Sequence, residues 1–368
     1  MRAVCFVERQ ELDFPGTICK NALALGDVDG DGESELVVGN EAGDLAIFKK
    51  STGSTKPWYR TSGLRMITAV GVGDLIGPGR STLVVVSGDG WCQLLLSGPA
   101  PTCSPDTPLT PDTAMHVAHT QRIPPNTHCL VLGDIDGNGY TELVVGLTDR
   151  VVRSYRWQPD PPPMAPGHGK LVSLHKWEAA SQVGGVSIGR EKNGRPSVLV
   201  SQPGGTFLRI YCNTPSSGDS STGSDDTLNE QNQNVTEEEK GSIQLHRQLF
   251  SLTRMDITGD GRDEIIVCSW DGQTYILGQD QVSVRFQFED SVAAFCAGRY
   301  GTRVAENVHP PACLVYCTFA NKIFVYTDLK LDKLRASSLD ATTAQMWPDK
   351  SKSERQNGKN YASVKFWQ

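Results

Sequence analysis

Long apolar runs are missing from this chain of 368 residues, and no stretch approaches the roughly 18 residues that a membrane-spanning helix needs. The first residues include Glu8 and Arg9 where a secretory signal requires an unbroken apolar core, which predicts a soluble chain that stays in the cytosol. A basic surplus is missing as well. The formal net charge of -7 repels phosphate backbones and anionic headgroups. This excludes nucleic acid as the expected partner and leaves membrane association to occur indirectly, through other proteins. The 10 cysteines include no C-x-x-C pair and no zinc-type spacing. Most lie in apolar runs such as Ala294-Phe295-Cys296-Ala297, where a thiol behaves as a small hydrophobe, so reduced thiols are expected.

Catalytic signatures are equally sparse. No glycine-rich phosphate loop occurs. Gly185-Val186-Ser187-Ile188-Gly189 matches the G-x-S-x-G frame, but that nucleophile elbow needs strand, sharp turn and helix. Here Arg190-Glu191-Lys192-Asn193-Gly194 and another strand follow, so a hydrolase resting on Ser187 is the weaker reading. His116 and His119 could form half of a metal site, but they sit beside Thr107-Pro108 and Pro111 with no third ligand, and read as loop histidines.

What the sequence does have is a repeat: a short apolar run, a Gly-rich acidic turn, a second apolar run, another turn, and an alternating strand. The sharpest copies run from Ala22 to Phe48 and from Val131 to Gly146, and a third good one from Met255 to Ile276. Three worn copies begin near Ala69, Gly185 and Ala294. The runs are short, β-branched and bounded by Gly and Asp, so they read as strands, three or four to a repeat. The fold class expected is all-β, a β-propeller with blades near 20–50, 66–97, 128–157, 183–212, 250–278 and 292–327. The segment from Arg2 to Val7 is expected to pair into the last blade as a clasp, because a ring must close or leave raw sheet edges.

The acidic turns are the candidate binding residues. In Asp27-x-Asp29-x-Asp31-Gly32-x-x-Glu35 the oxygen-bearing side chains fall on odd positions of a tight loop, and the glycine allows a conformation most residues resist. The frame recurs as Asp134, Asp136, Asn138 and Glu142, and less completely as Asp256, Asp260 and Glu264. Hard oxygens at that density suit Ca²⁺. An EF-hand is excluded, because position twelve is Val38, Val145 or Val267 and a strand follows. Each loop feeds a strand, as in the FG-GAP repeat of integrin α chains. Asp, Asn and Gly also form such turns through hydrogen bonds to the backbone without any ion, and both readings stand at this stage.

Between 99 and 125, and again over 158–167, Pro-rich stretches read as insertion loops. Residues 213–242 form a low-complexity acidic linker expected to be disordered, and 328–368 a poorly structured tail. The sequon Asn234-Val235-Thr236 falls in the linker and carries little weight.

Met1-Arg2-Ala3-Val4, the run Glu142–Gly146 continuing to Asp149–Arg153, Trp270–Ile276 and Phe295–Gly298 resemble the integrin-α FG-GAP repeat-containing subunits of the KICSTOR complex. The likeness runs over most of residues 1–327. It implies a cytosolic propeller held at lysosomal membranes through partners. Those partners are kaptin, a very large scaffold subunit and the GATOR complex, and the outcome is restraint of the TOR kinase when nutrients are scarce. It also implies seven blades against the six copies visible, with the gap at 213–242: a blade is absent, or a degenerate one lies there. The competing functional class is an extracellular, calcium-dependent adhesion or lectin-like propeller, disfavoured by the N-terminal sequence and the dispersed cysteines.

Overall fold

The computed structural model describes residues 8–98, 114–161, 168–190, 194–202, 206–212, 249–259, 261–278, 283–302, 309–327 and 329. They form six antiparallel sheets in chain order. The fourth strand of the last sheet comes from the N-terminal end of the chain: β1 (Glu8–Leu12) pairs with the strand at the far end of the ring. Blade I holds β2 (Leu23–Gly26), β3 (Glu35–Gly39), β4 (Leu45–Phe48) and β5 (Tyr59–Thr61). Blade II holds β6 (Ile67–Gly73), β7 (Thr82–Ser87), β8 (Trp91–Ser97) and β9 (Met115–Arg122). Blade III is β10 (Thr127–Gly133), β11 (Glu142–Leu147), β12 (Val151–Pro159) and β13 (Gly169–Glu178).

Blade IV is three-stranded among the described residues, with β14 (Gly185–Arg190), β15 (Pro196–Gln202) and β16 (Thr206–Ile210). Blade V is β17 (Leu249–Met255), β18 (Glu264–Ser269), β19 (Gln273–Leu277) and β20 (Ser283–Gln287). Blade VI is β21 (Val292–Arg299), β22 (Ala312–Thr318), β23 (Ile323–Thr327) and β1.

The first strand of each blade lines the axis. β2, β6, β10, β14, β17 and β21 each lie against the next, and β21 returns to β2. The approach between blades is close enough to require glycine at some positions: a Cβ on Gly71 of β6 would stand 2.3 Å from Leu130 Cδ1 of β10. The second strands carry the core, with β3, β7, β11 and β22 buried along their whole length. Burial of these continuous apolar faces between neighbouring sheets is the main force holding the ring.

Closure follows the expected device, an N-terminal strand paired into the last blade. Arg2–Val7 lie outside the described residues, and the clasp strand is β1, in register from Glu8 opposite Thr327 to Leu12 opposite Ile323. The Arg9 guanidinium lies 4.1 Å over the Phe324 ring, and the Thr327 hydroxyl donates to Glu8 Oε2 at 2.8 Å. Blade IV meets blade V directly, with Ser187 Oγ accepting the Arg254 N–H at 3.0 Å. Among the described residues the ring therefore closes on six blades, with IV directly against V, where the resemblance implies a seventh.

Every blade but the fourth gains a strand that the repeat pattern did not reveal. Met115–Arg122, read as loop, is the outer strand of blade II, and Gln158–Pro159, also read as loop, ends β12. These outer strands alternate exposed and buried residues and carry no acidic turn, as in the half-exposed pattern of β13. The linker 213–242 and the tail from 330 onward fall outside the described residues.

Candidate functional site

The acidic turns join the first to the second strand of their blades and so share one rim. In blade I the Asp27 carboxylate accepts the Gly30 N–H at 2.6 Å on Oδ1 and the Gly32 N–H at 2.8 Å on Oδ2. Both glycines have positive φ, +80° and +84°, which makes this fold of the loop cheap for Gly and strained for other residues. Glu35 Oε2 accepts the Val28 N–H at 2.7 Å and closes the turn from the other side. Blade III repeats the arrangement: Asp134 accepts from Gly137, Asn138 and Gly139 N–H, and Glu142 from Ile135 N–H at 3.1 Å. Asn138 accepts the Tyr140 N–H and donates to Asp136 Oδ2, both at 2.8 Å. In blade V, Asp256 accepts from Gly259 and Gly261 N–H, and Glu264 from Ile257 N–H; Asp260 lies outside the described residues.

The structure brings the predicted acids together. One oxygen each from Asp27, Asp29 and Glu35, from Asp31, Glu33 and Glu35, and from Asp134, Asp136 and Glu142 lie within 4.8 Å of one another. Two basic residues that the sequence reading missed stand at the points of convergence. Lys49 Nζ lies 2.7 Å from Asp29 Oδ2, 2.5 Å from Asp31 Oδ2 and 3.4 Å from Glu35 Oε1. Arg156 donates from Nε to Glu142 Oε1 at 2.8 Å and from Nη2 to Asp136 Oδ2 at 2.8 Å.

A sequence signal for them exists. Arg156 is paired with Glu142 in the β11–β12 register, and Lys49 continues the β3–β4 register opposite Glu35. In both blades the basic residue follows the turn's Glu by fourteen positions, from 35 to 49 and from 142 to 156. The same step from Glu264 lands on Gly278.

Electrostatics follow burial. Burial pushes the Glu35 carboxyl up to about 8, against the Val28 N–H and Lys49, and it raises Glu142 in the same sense. Burial opposes the Lys49 charge, but hydrogen bonds to Asp29 and Asp31 outweigh it and hold the ammonium protonated. The Lys49 ammonium also lies 4.6 Å from the Trp58 ring centroid.

The blade I turn is tied to both neighbours. Ser34 and Gly301 exchange two backbone hydrogen bonds, at 3.0 and 2.8 Å, joining it to blade VI. The Ser81 hydroxyl of blade II donates to the Asp27 carbonyl. Beside it an open cavity of about 300 Å³ is lined by Asp29, Arg80, Ser81, Leu96, Ser97 and His116.

Ser187 sits mid-strand in β14, buried and in register with Leu199, which is not the strand–turn–helix geometry of a nucleophile elbow. His116 and His119 lie on β9 rather than in a loop. His116 Nδ1 is 2.8 Å from the Gly98 carbonyl, and the His119 ring meets the Trp157 ring edge-on at 4.9 Å. Among the described residues the cysteines are free, and most are buried.

A crystal structure of BBS1N in complex with ARL6DN, soaked with lead, matches 89% of this chain and 98% of its own with a TM-score of 0.48 and 16% identity. KICSTOR complex protein ITFG2 of Mus musculus is 34% identical, covering 92% of this chain and 88% of its own length. The Bos taurus protein of the same name is 33% identical, covering 92% and 74%. The FG-GAP repeat model matches residues 21–55, which hold the blade I turn and Lys49. The model described as integrin-alpha FG-GAP repeat-containing protein 2 matches residues 49–242 and 234–331, and with the relatives it establishes that this chain belongs to that family.

Proposed function

We propose that this chain is a non-catalytic scaffold subunit of a KICSTOR complex. The observation that carries the reading is the likeness to the mouse KICSTOR protein, 34% identity over 92% of the chain, which leaves no more than a small part of the propeller outside it. A closed ring of six blades presents rigid strands and many rim loops, the surfaces through which repeat folds bind other proteins. In this reading the propeller binds kaptin and the large scaffold subunit, helps recruit the GATOR complex, and so restrains TOR kinase signalling under amino-acid or glucose shortage. Its place is the cytosol, peripheral at the lysosomal membrane through those partners. The net charge of -7 suits docking through protein rather than through anionic lipid.

Affinity purification of the full chain from cells tests this. Recovery of kaptin and the large scaffold subunit, with co-sedimentation on lysosomal membranes, is the expected result. Glycosylated protein in the medium with none of these partners would overturn it in favour of the extracellular adhesion reading.

A further inference from the structure

We propose that Lys49 and Arg156 are tethered replacements for calcium: in blades I and III a cationic side chain of the chain itself fills the ion position of the acidic turn, and these turns keep their shape without metal. Ca²⁺ takes six to eight oxygens at about 2.3–2.6 Å. In blade I most of the oxygens it would need are engaged; the buried Asp29 Oδ1 and Glu35 Oε1 have no hydrogen-bond partner, but both belong to carboxylates that face Lys49. The oxygens of Asp27 accept the Gly30 and Gly32 N–H groups, and Asp29, Asp31 and Glu35 surround the Lys49 ammonium. The ammonium donates to Asp29 and Asp31 and stands 3.4 Å from the third carboxyl group, Glu35. In blade III the Arg156 guanidinium spans Asp136 and Glu142 in the same way, from the same register position.

Two independent blades arriving at one solution, with two different basic residues, is the signature of a role filled rather than of a chance ion pair. Blade V lacks the side chain, having Gly278 at that position. There the Thr258 hydroxyl donates to Glu264 Oε1 at 3.2 Å and the Ile257 N–H to Oε2 at 3.0 Å. The consequence for the molecule lies at the blade VI–I seam. The turn that Lys49 holds is the one whose Ser34 bonds Gly301, so ring closure does not depend on the concentration of free calcium.

The test uses the purified full chain, with thermal melts in Ca²⁺ or chelator and terbium luminescence sensitised by Trp58, whose ring lies 4.6 Å from Lys49 Nζ. Wild type and Lys49→Arg are expected to melt at one temperature in millimolar Ca²⁺ and in chelator, and to give no sensitised emission from the blade I turn. Lys49→Ala is expected to melt lower, to gain terbium emission that Asp29→Asn removes, and to recover about 5 °C in saturating Ca²⁺.

Wild-type protein that loses stability in chelator, or shows terbium emission sensitive to Asp29→Asn, would overturn the proposal. So would a folded Lys49→Ala protein blind to both ions. Should Lys49→Ala fail to accumulate, Arg156→Ala gives the same decision at blade III, read by its melts and by emission through Tyr140, 5.9 Å from the guanidinium.

Discussion

Lys49 and Lys20 are both withdrawn from water, one behind the acidic turn of blade I and one at the mouth of the axial channel, and burial acts on them to opposite effect. Lys49 is 7% exposed and faces three carboxylates, which hold its charge firmly. Lys20 reaches across the ring from blade I to blade IV and donates to the Gly184 carbonyl at 3.0 Å, while Asn21 beside it donates to the His128 carbonyl at 2.8 Å. No carboxylate accompanies Lys20 among these contacts, and burial lowers its pKa. His128 shares that mouth, and burial together with the Lys20 charge brings it down to about 4. A charge withdrawn from water is stable where counter-charges surround it, and marginal where a carbonyl dipole is its acceptor.

The largest effect expected from this difference is at Lys49. Lys49→Ala removes the cation from the buried Glu35 and the partly exposed Asp29 and Asp31 and should cost ~2–3 kcal/mol in urea unfolding; a loss below about 1 kcal/mol would place Lys49 with ordinary surface pairs. Next is the pH response of the mouth. His128 has a folded pKa below its ordinary value, so the unfolded chain takes up the proton first. The stability this group gives is whole above pH about 6.5 and is lost as pH falls toward about 4, by about 3 kcal/mol at about 1.36 kcal/mol per unit. His128→Gln should flatten that slope in denaturant titrations at successive pH values.

Lys20→Met should then move stability by no more than about 1 kcal/mol, because the lost hydrogen bond to Gly184 is offset by removal of a poorly solvated charge. The same change should shift the acid response of His128 upward in pH, visible in its imidazole NMR titration. The smallest effect is the converse construction in blade V. Gly278→Lys places an amine opposite Glu264 and should change stability by under about 1 kcal/mol, since the turn already satisfies itself through Ile257 and Thr258. A gain comparable to the loss at Lys49 would mean that blade V was incomplete without it.

Most of the propeller was legible because each blade's inner three strands combine apolar runs with Gly-Asp turns, and both signals are local. The outer strands were not. β9 and β13 have one face in solvent and alternate polar with apolar side chains, and Pro-rich sequence adjoins both, so nothing in them stands out from loop. The clasp was anticipated from the need to close a ring, at Arg2–Val7, which lie outside the described residues; the described part of it is Glu8–Leu12. Its residues Glu8–Leu12 are mostly exposed and polar, and only pairing with β23 makes them a strand. At the candidate site the acids were visible because they cluster in nine residues, while Lys49 just after β4 and Arg156 within β12 look like ordinary surface charges of another strand.

By itself the sequence determined the repeat, the all-β class, the turn geometry written in Asp and Gly, and, through family likeness, the kind of protein. Those are properties of short segments, where steric limits on φ and the period of two along a strand leave few choices. Tertiary structure alone decided that six blades close the ring, that the clasp is Glu8–Leu12, and that the acidic turns of blades I and III close around a lysine and an arginine. Each of these depends on which strand lies beside which, and register places a residue fourteen positions away within hydrogen-bond reach of a turn whose own sequence gives no sign of it.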